Sequence, residues 1–214
     1  MSLERRFSLA QDAASVQVAD TPDGRRIVHH AAPWGVLSRP LFKVRRRGRA
    51  LPVRERFERG AFGELVRGDV MALFNHDPSR ILGRTPGTLE LEEDEIGLRY
   101  ELDPPDTPTG REVLTLIDRG DLRGSSFAFA VAEGGEVWEE RDGEILRTVR
   151  RASRLADVGP VTSPQYPLDG LAARAADGDV DAARASLETW LCLPRRPRLD
   201  AMRRAQADAE RWAG

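Results

Sequence analysis

Over its first two thirds the chain sets short apolar runs between Gly, Pro and Asp breaks, a spacing that fits strands and turns better than long helices. Residues 25–32 (Arg-Arg-Ile-Val-His-His-Ala-Ala) and 69–75 (Asp-Val-Met-Ala-Leu-Phe-Asn) read as short apolar strands, and 88–92, 97–103 and 125–132 resemble them. Residues 136–140 and 144–149 alternate in the same way and are joined by Arg141-Asp142-Gly143. An Asp-Gly between two alternating runs favours a hairpin, because both residues tolerate the backbone of a tight turn. Two helices interrupt the strands. Residues 60–67 form a short one with Phe62 and Leu65 three apart; the other begins at Thr107-Pro108, places Val113, Leu114, Leu116 and Ile117 on one face, and stops at Gly120. The pattern predicts a β-rich α+β domain that ends near Leu171.

Past that point the composition shifts to Ala, Arg and Asp. Residues 181–193 and 200–212 read as two helices split by Pro194-Arg-Arg-Pro197, since proline removes a helical donor and clashes with the preceding turn. Large apolar residues are few: Leu187, Trp190, Leu191 and Leu193 in one, Met202 and Trp212 in the other. The expected organisation is an N-terminal arm (1–24), a folded domain (25–171) and a peripheral helical tail (172–214).

Composition narrows the function. The 214 residues carry 33 basic and 35 acidic groups and are 40% apolar, which suits one domain with a little extra chain. Near-neutrality argues against nucleic-acid binding through bulk charge, and no run approaches the roughly 20 apolar residues of a membrane span. Residues 1–11 lack the apolar core of a signal peptide, so the chain is expected in the cytoplasm. The charge is uneven: residues 1–60 carry 13 basic and 6 acidic groups, residues 61–110 carry 4 and 11. The basic run 43–49 reads as a solvated loop, or alternatively as a docking surface for an acidic partner. A single cysteine, Cys192, excludes an intramolecular disulfide, and with three histidines it argues against a thiolate or histidine metal cage. Lys43 is the only lysine, and Gly83-Arg-Thr-Pro-Gly87 lacks the Lys-Ser/Thr of a phosphate loop, so no metal and no cofactor are expected.

Two places could carry chemistry. Asn75-His76-Asp77 ends an apolar strand, which would fix the backbone and leave the imidazole at a rim. His29 and His30 lie within a strand pattern, one on each side of the sheet, and are weaker candidates. The other place is Gly124-Ser-Ser-Phe-Ala-Phe129. In a strand Ser126 points opposite to Ser125, Phe127 and Phe129, so it could face a cleft while the phenylalanines face a core. A hydroxyl becomes a nucleophile only when a base within hydrogen-bond reach takes its proton. From spacing alone a turn-capping histidine and a structural pair of serines are the commoner arrangements.

These segments are also where the sequence becomes recognisable. Gly60-Ala-Phe62, Phe74-Asn-His-Asp-Pro-Ser79, Leu82-Gly-Arg-Thr85, Pro105-Asp-Thr107, Arg119-Gly-Asp-Leu122, Gly124-Ser-Ser-Phe-Ala-Phe129 and Pro160-Val-Thr-Ser-Pro-Gln-Tyr-Pro167, in that order, resemble the prohead maturation proteases of tailed bacteriophages. The resemblance spans about Arg25 to Arg174. It implies a fold related to the herpesvirus assemblins, a β-barrel with peripheral helices, and a serine endopeptidase with Ser126 as nucleophile and His76 as general base. A third group should orient the imidazole, and the resemblance points to Asp157 in Leu155-Ala-Asp-Val158, where the family typically carries glutamate. Asp77 competes for that role but is adjacent to His76. Ser125, where methionine is common, and Gly159, where serine is usual, are further departures. Backbone amides near Ser163 to Tyr166, with Gln165 and Tyr166 foremost, are the expected oxyanion and substrate loop.

The resemblance further implies the partners and place of action. The expected substrates are the major capsid protein, with its delta segment or scaffold, and the chain itself, within the assembling procapsid of a phage or prophage in the host cytoplasm. A homo-oligomer is compatible; nucleic acid and membrane are not expected. Self-cleavage would give the tail a purpose as a tether. The rival is a catalytically inactive scaffold or assembly protein that keeps the fold, since fold alone does not license activity.

Overall fold

The computed structural model describes residues 4–8, 16–22, 24–162 and 181–192. Within them lie β1 (Glu4–Ser8), β2 (Gln17–Thr21), β3 (Gly24–Pro33), β4 (Phe42–Arg46), β5 (Arg49–Phe57), β6 (Met71–Leu73), β7 (Ile81–Arg84), β8 (Leu89–Glu93), β9 (Gly97–Leu102), α1 (Pro108–Asp118), β10 (Gly124–Val131), β11 (Glu136–Arg141), β12 (Glu144–Val149), β13 (Ala152–Val161) and α2 (Asp181–Cys192). Two 3-10 segments, Gly63–Arg67 and Phe74–His76, complete the set. The strands form three sheets, ordered β1-β10-β13-β6-β7, β11-β12-β5-β4 and β2-β3-β9-β8. Only β13 with β6 and β12 with β5 run parallel. The fold is β-rich with two α-helices among the described residues. The expected barrel does not close by hydrogen bonds there, because each sheet keeps two edge strands.

One core lies under the first sheet. β10 alternates, so Phe127 and Phe129 share a face, and they meet Phe57 edge-on at ring centroid distances of 5.3 and 5.1 Å. Phe62 stacks on Phe57 at 5.7 Å. Such offset and edge-to-face pairs add about 0.5–1.5 kcal/mol each to the burial of the rings. Helix α1 starts as expected, with Thr107 Oγ1 accepting from the Gly110 amide and Pro108 in the first turn. It ends where Gly120 takes a φ of 74° and its amide donates to the Ile117 carbonyl.

Three expectations are corrected. The helix over 60–67 is only a five-residue 3-10 segment, with Phe62 buried just before it. The strand over 69–75 keeps three residues, for a reason given by the site below. The basic run 43–49 is not a loop: it forms a hairpin of β4 and β5, turned by Arg47 and Gly48 at φ 48° and 78°. Phe42 and Val44 point inward while the intervening basic groups point out, and Arg46 pairs with Glu140 at 2.8 Å. Described parts of the stretches named as arm and tail also carry regular structure. β1 adds an edge to the first sheet and β2 to the third, while Ala183, Leu187 and Trp190 of α2 pack on Leu51, Val53, Trp138 and Ile145. Residues 200–212, expected as a second tail helix, lie outside the described residues.

A buried ionic cluster joins these pieces. Arg147, 1% exposed, is bonded by Glu4 (2.8 Å), Glu55 (2.7 Å) and Glu136 (2.6 Å). Burial alone would loosen the guanidinium proton, but the carboxylates outweigh it and raise its pKa. Glu136 also accepts from the Ser186 hydroxyl of α2, so one cluster links the N-terminal strand, the second sheet and the C-terminal helix.

Candidate active site

β10 and β13 build the floor of the site. They pair antiparallel with Ser126 opposite Gly159 and Ala128 opposite Asp157. Directly opposed residues share a face of the sheet, so Ser126 and Asp157 project together, away from Phe127 and Phe129. β6 runs beside β13, with Asp157 opposite Met71 and Val158 opposite Ala72. At Leu73 the chain leaves the sheet. Asn75 (φ 56°, ψ 30°) and His76 (φ 56°) both adopt left-handed backbone, which shortens β6 and carries His76 across the sheet face. Asparagine and histidine are among the residues that tolerate this region, although each such residue stores strain of about 1–3 kcal/mol.

The imidazole lands between the two floor residues. Its Nδ1 lies 2.5 Å from Asp157 Oδ1, and its Nε2 is hydrogen-bonded to Ser126 Oγ. An ionised carboxylate can only accept, so Nδ1–H donates to Asp157 and Nε2 is left to accept from the serine hydroxyl. Bulk water is largely excluded: the side chains of His76 and Asp157 are 7% and 9% exposed, and Ser126 is fully buried. This arrangement can move a proton from Ser126 to His76 and hold the resulting imidazolium against a carboxylate.

Asp77 does other work. Its Oδ1 accepts from the Ser79 hydroxyl (2.6 Å) and amide (2.9 Å), which caps the turn after His76 and holds the carboxyl below its ordinary range. His29 is buried edge-on to Tyr100, and His30 Nε2 meets Asp94 Oδ2 at 2.7 Å. Among the described residues no group of three or more His, Cys, Asp or Glu could hold a metal ion.

Residues 21–179 match the caudovirus prohead serine protease family. The chain belongs to that family. Prohead protease is therefore the class in which the site is to be read, and a peptidase is the activity the family carries. Among solved structures the chain is similar to the capsid assembly protease of bacteriophage T4, at 13% identity and a TM-score of 0.43, over 76% of this chain and 98% of that one. No curated protein is similar in sequence.

Of the residues expected in the site, His76, Ser126 and Asp157 come together, while Gln165 and Tyr166 lie outside the described residues. The contacts that support these residues were not expected. Asn75 Oδ1 accepts from the Thr162 amide at 2.8 Å and from its hydroxyl at 3.2 Å, tying the His76 turn to the end of β13. Ser125, behind the nucleophile candidate, donates to the Gly159 carbonyl at 3.2 Å and meets the Tyr100 hydroxyl at 3.2 Å. Burial raises the Tyr100 pKa, which keeps that hydroxyl protonated. Adjacency to His76 was the available signal for Asn75; the contact of Ser125 with Tyr100 joins two sheets and has no local sequence signal.

Proposed function

We propose that this prohead protease is a serine endopeptidase in which Ser126 attacks the scissile carbonyl, His76 is the general base and acid, and Asp157 orients and stabilises the imidazole. The observation that carries the reading is the continuous hydrogen-bonded line from Asp157 through His76 to Ser126. As the Oγ–C bond forms, the hydroxyl proton passes to Nε2, and the tetrahedral intermediate collapses when that proton is delivered to the leaving amine. Water then enters and bonds the acyl carbon as Nε2 takes one of its protons, and the second intermediate collapses when Nε2 returns that proton to Ser126 Oγ as the C–Oγ bond breaks. Proton transfer of this kind contributes about 10²–10⁴-fold to rate, and burial of the pair strengthens the attraction that stabilises the imidazolium. Backbone amides near Gln165 and Tyr166 are the candidate donors to the oxyanion. The chain order of base, nucleophile and later carboxylate is the one expected of a relative of the assemblins.

Family membership supports the substrates: the major capsid protein with its delta segment or scaffold, cleaved inside the procapsid in the host cytoplasm. The chain itself is the further substrate, cut near residue 171, where the composition changes. The complete burial of Ser126 favours a second reading, an inactive assembly protein that keeps the fold. In the protease reading the same burial means that a peptide reaches the hydroxyl only after the site opens. Co-expression with the capsid precursor separates the two. Wild-type protein should yield shortened capsid protein and a shortened protease by mass spectrometry, and Ser126→Ala and His76→Ala should leave both full length. Equal processing by all three would refute the assignment, and full-length products from all three would favour the inactive protein.

A further inference from the structure

Resting on that protease reading, we propose that Gly159 is a positioning residue whose missing side chain lets the Leu73 carbonyl lie on the sheet face and so sets His76 against both Asp157 and Ser126. Gly159 stands directly opposite Ser126 and two residues from Asp157, so its absent Cβ would project on the face that carries both side chains. A Cβ there would meet the Leu73 carbonyl oxygen at 2.2 Å, with the Leu73 carbonyl carbon and amide nitrogen each at 3.1 Å. All three are backbone atoms, so no rotamer change relieves the clash. Leu73 is where the chain leaves the sheet, three residues before His76.

One partner must withdraw by about 1 Å to restore ordinary contact. Gly159 itself holds a φ of 153°, which L side chains rarely adopt, so a side chain there also strains β13; of the two partners β13 is nevertheless the less free to move. Its Gly159 carbonyl is held by the Ser125 hydroxyl, and its pairing with β10 runs from Val161 to Ala152. The crossing segment has a three-residue strand behind it and two left-handed residues ahead. A side chain at 159 therefore lifts the Leu73–His76 segment, and the imidazole with it. A misplacement of about 1 Å in a catalytic group can cost on the order of 100-fold in rate.

The same geometry makes a compensating change available. Asp157→Glu lengthens the carboxylate by one methylene, about 1.3 Å of reach. Against the wild-type backbone, where the contact is already 2.5 Å, the longer side chain overfills the gap and slows the reaction. Against a lifted imidazole it restores the contact. The effect of Asp157→Glu thus changes sign with the residue at 159, which a purely structural glycine would not produce.

The test is the rate at which a fluorophosphonate probe labels Ser126 in the wild type, Asp157→Glu, Gly159→Ala and the double variant, followed across pH, with thermal unfolding measured alongside. Each single variant should label more slowly than wild type, Gly159→Ala by on the order of 100-fold. The double variant should regain at least about tenfold over Gly159→Ala, with the pH dependence of the wild type. A wild type that is not labelled refutes the protease reading itself. Labelling of the wild type with an unchanged rate in Gly159→Ala, or with Asp157→Glu slowing both backgrounds alike, overturns the role of Gly159 alone. If Gly159→Ala does not fold by itself, the double variant must fold and label faster than Asp157→Glu; a double variant that is slower or unfolded also overturns the proposal.

Discussion

Replacing Asp157 by Asn keeps size and shape but removes the charge that faces the imidazole. In the folded protein the carboxylate meets Nδ1 at 2.5 Å, and the two side chains are 9% and 7% exposed, so little water screens them. With the charge centres about 4 Å apart and an effective dielectric of about 20, the attraction gained when His76 becomes imidazolium is about 4 kcal/mol. At 1.36 kcal/mol per factor of ten, its loss corresponds to about a thousandfold in rate. The amide also presents an N–H to Nδ1, which favours the tautomer whose Nε2 carries the proton and cannot accept it from Ser126, so the loss should reach about 10³–10⁴-fold. The assay is single-turnover labelling of Ser126 by a fluorophosphonate, with Asp77→Asn as the control. Asp77 only caps the Ser79 turn, and its replacement should change the rate little. Labelling of Asp157→Asn at the wild-type rate would refute the reasoning, because it would mean that the carboxylate neither orients the base nor stabilises its charge.

Two further predictions concern stability. Arg147→Met leaves Glu4, Glu55 and Glu136 facing one another without their cation, and breaking a buried pair in this way costs about 3–5 kcal/mol, read as a fall in the urea midpoint. Asp94 is pushed up by burial, but hydrogen bonds from His30 and from the Gly97 and Ile96 amides outweigh this and hold its carboxyl below the ordinary range. A depressed carboxylate stabilises the fold above its unfolded pKa and ceases to do so as pH falls through the folded value. Asp94→Asn should therefore be less stable than wild type by about 1 kcal/mol at pH 7, with the gap closing below about pH 4; a gap that persists at pH 2 would contradict the sign.

What was legible in the sequence was local. The Asp142-Gly143 hairpin, the Thr107 cap and the alternation through Phe127 and Phe129 each rest on neighbours a few residues away, and each appears in the fold. The hairpin of β4 and β5 was obscured because Lys43, Arg45, Arg46, Arg47 and Arg49 crowd its turn and mask the alternation that Phe42 and Val44 begin. β1 was illegible for a different reason: the partner of Glu4 is Arg147, 143 residues away. The shortening of β6 at Leu73 follows from a left-handed turn that places His76, where local propensity and the needs of the site pull in opposite directions. His76 and Ser126 could be singled out from the motifs, and the shorter carboxylate of Asp157 could be noticed. That Gly159 admits a crossing backbone could not, since the contact exists only after β6 and β13 have paired.

The central claim is that Ser126 is a nucleophile activated by His76. Purified protein treated with a fluorophosphonate, digested and sequenced by mass spectrometry tests it most directly. The account predicts a single adduct on Ser126, slowed by at least about a hundredfold in His76→Ala and absent in Ser126→Ala. An adduct on another residue, or an unchanged labelling rate without the imidazole, would contradict it.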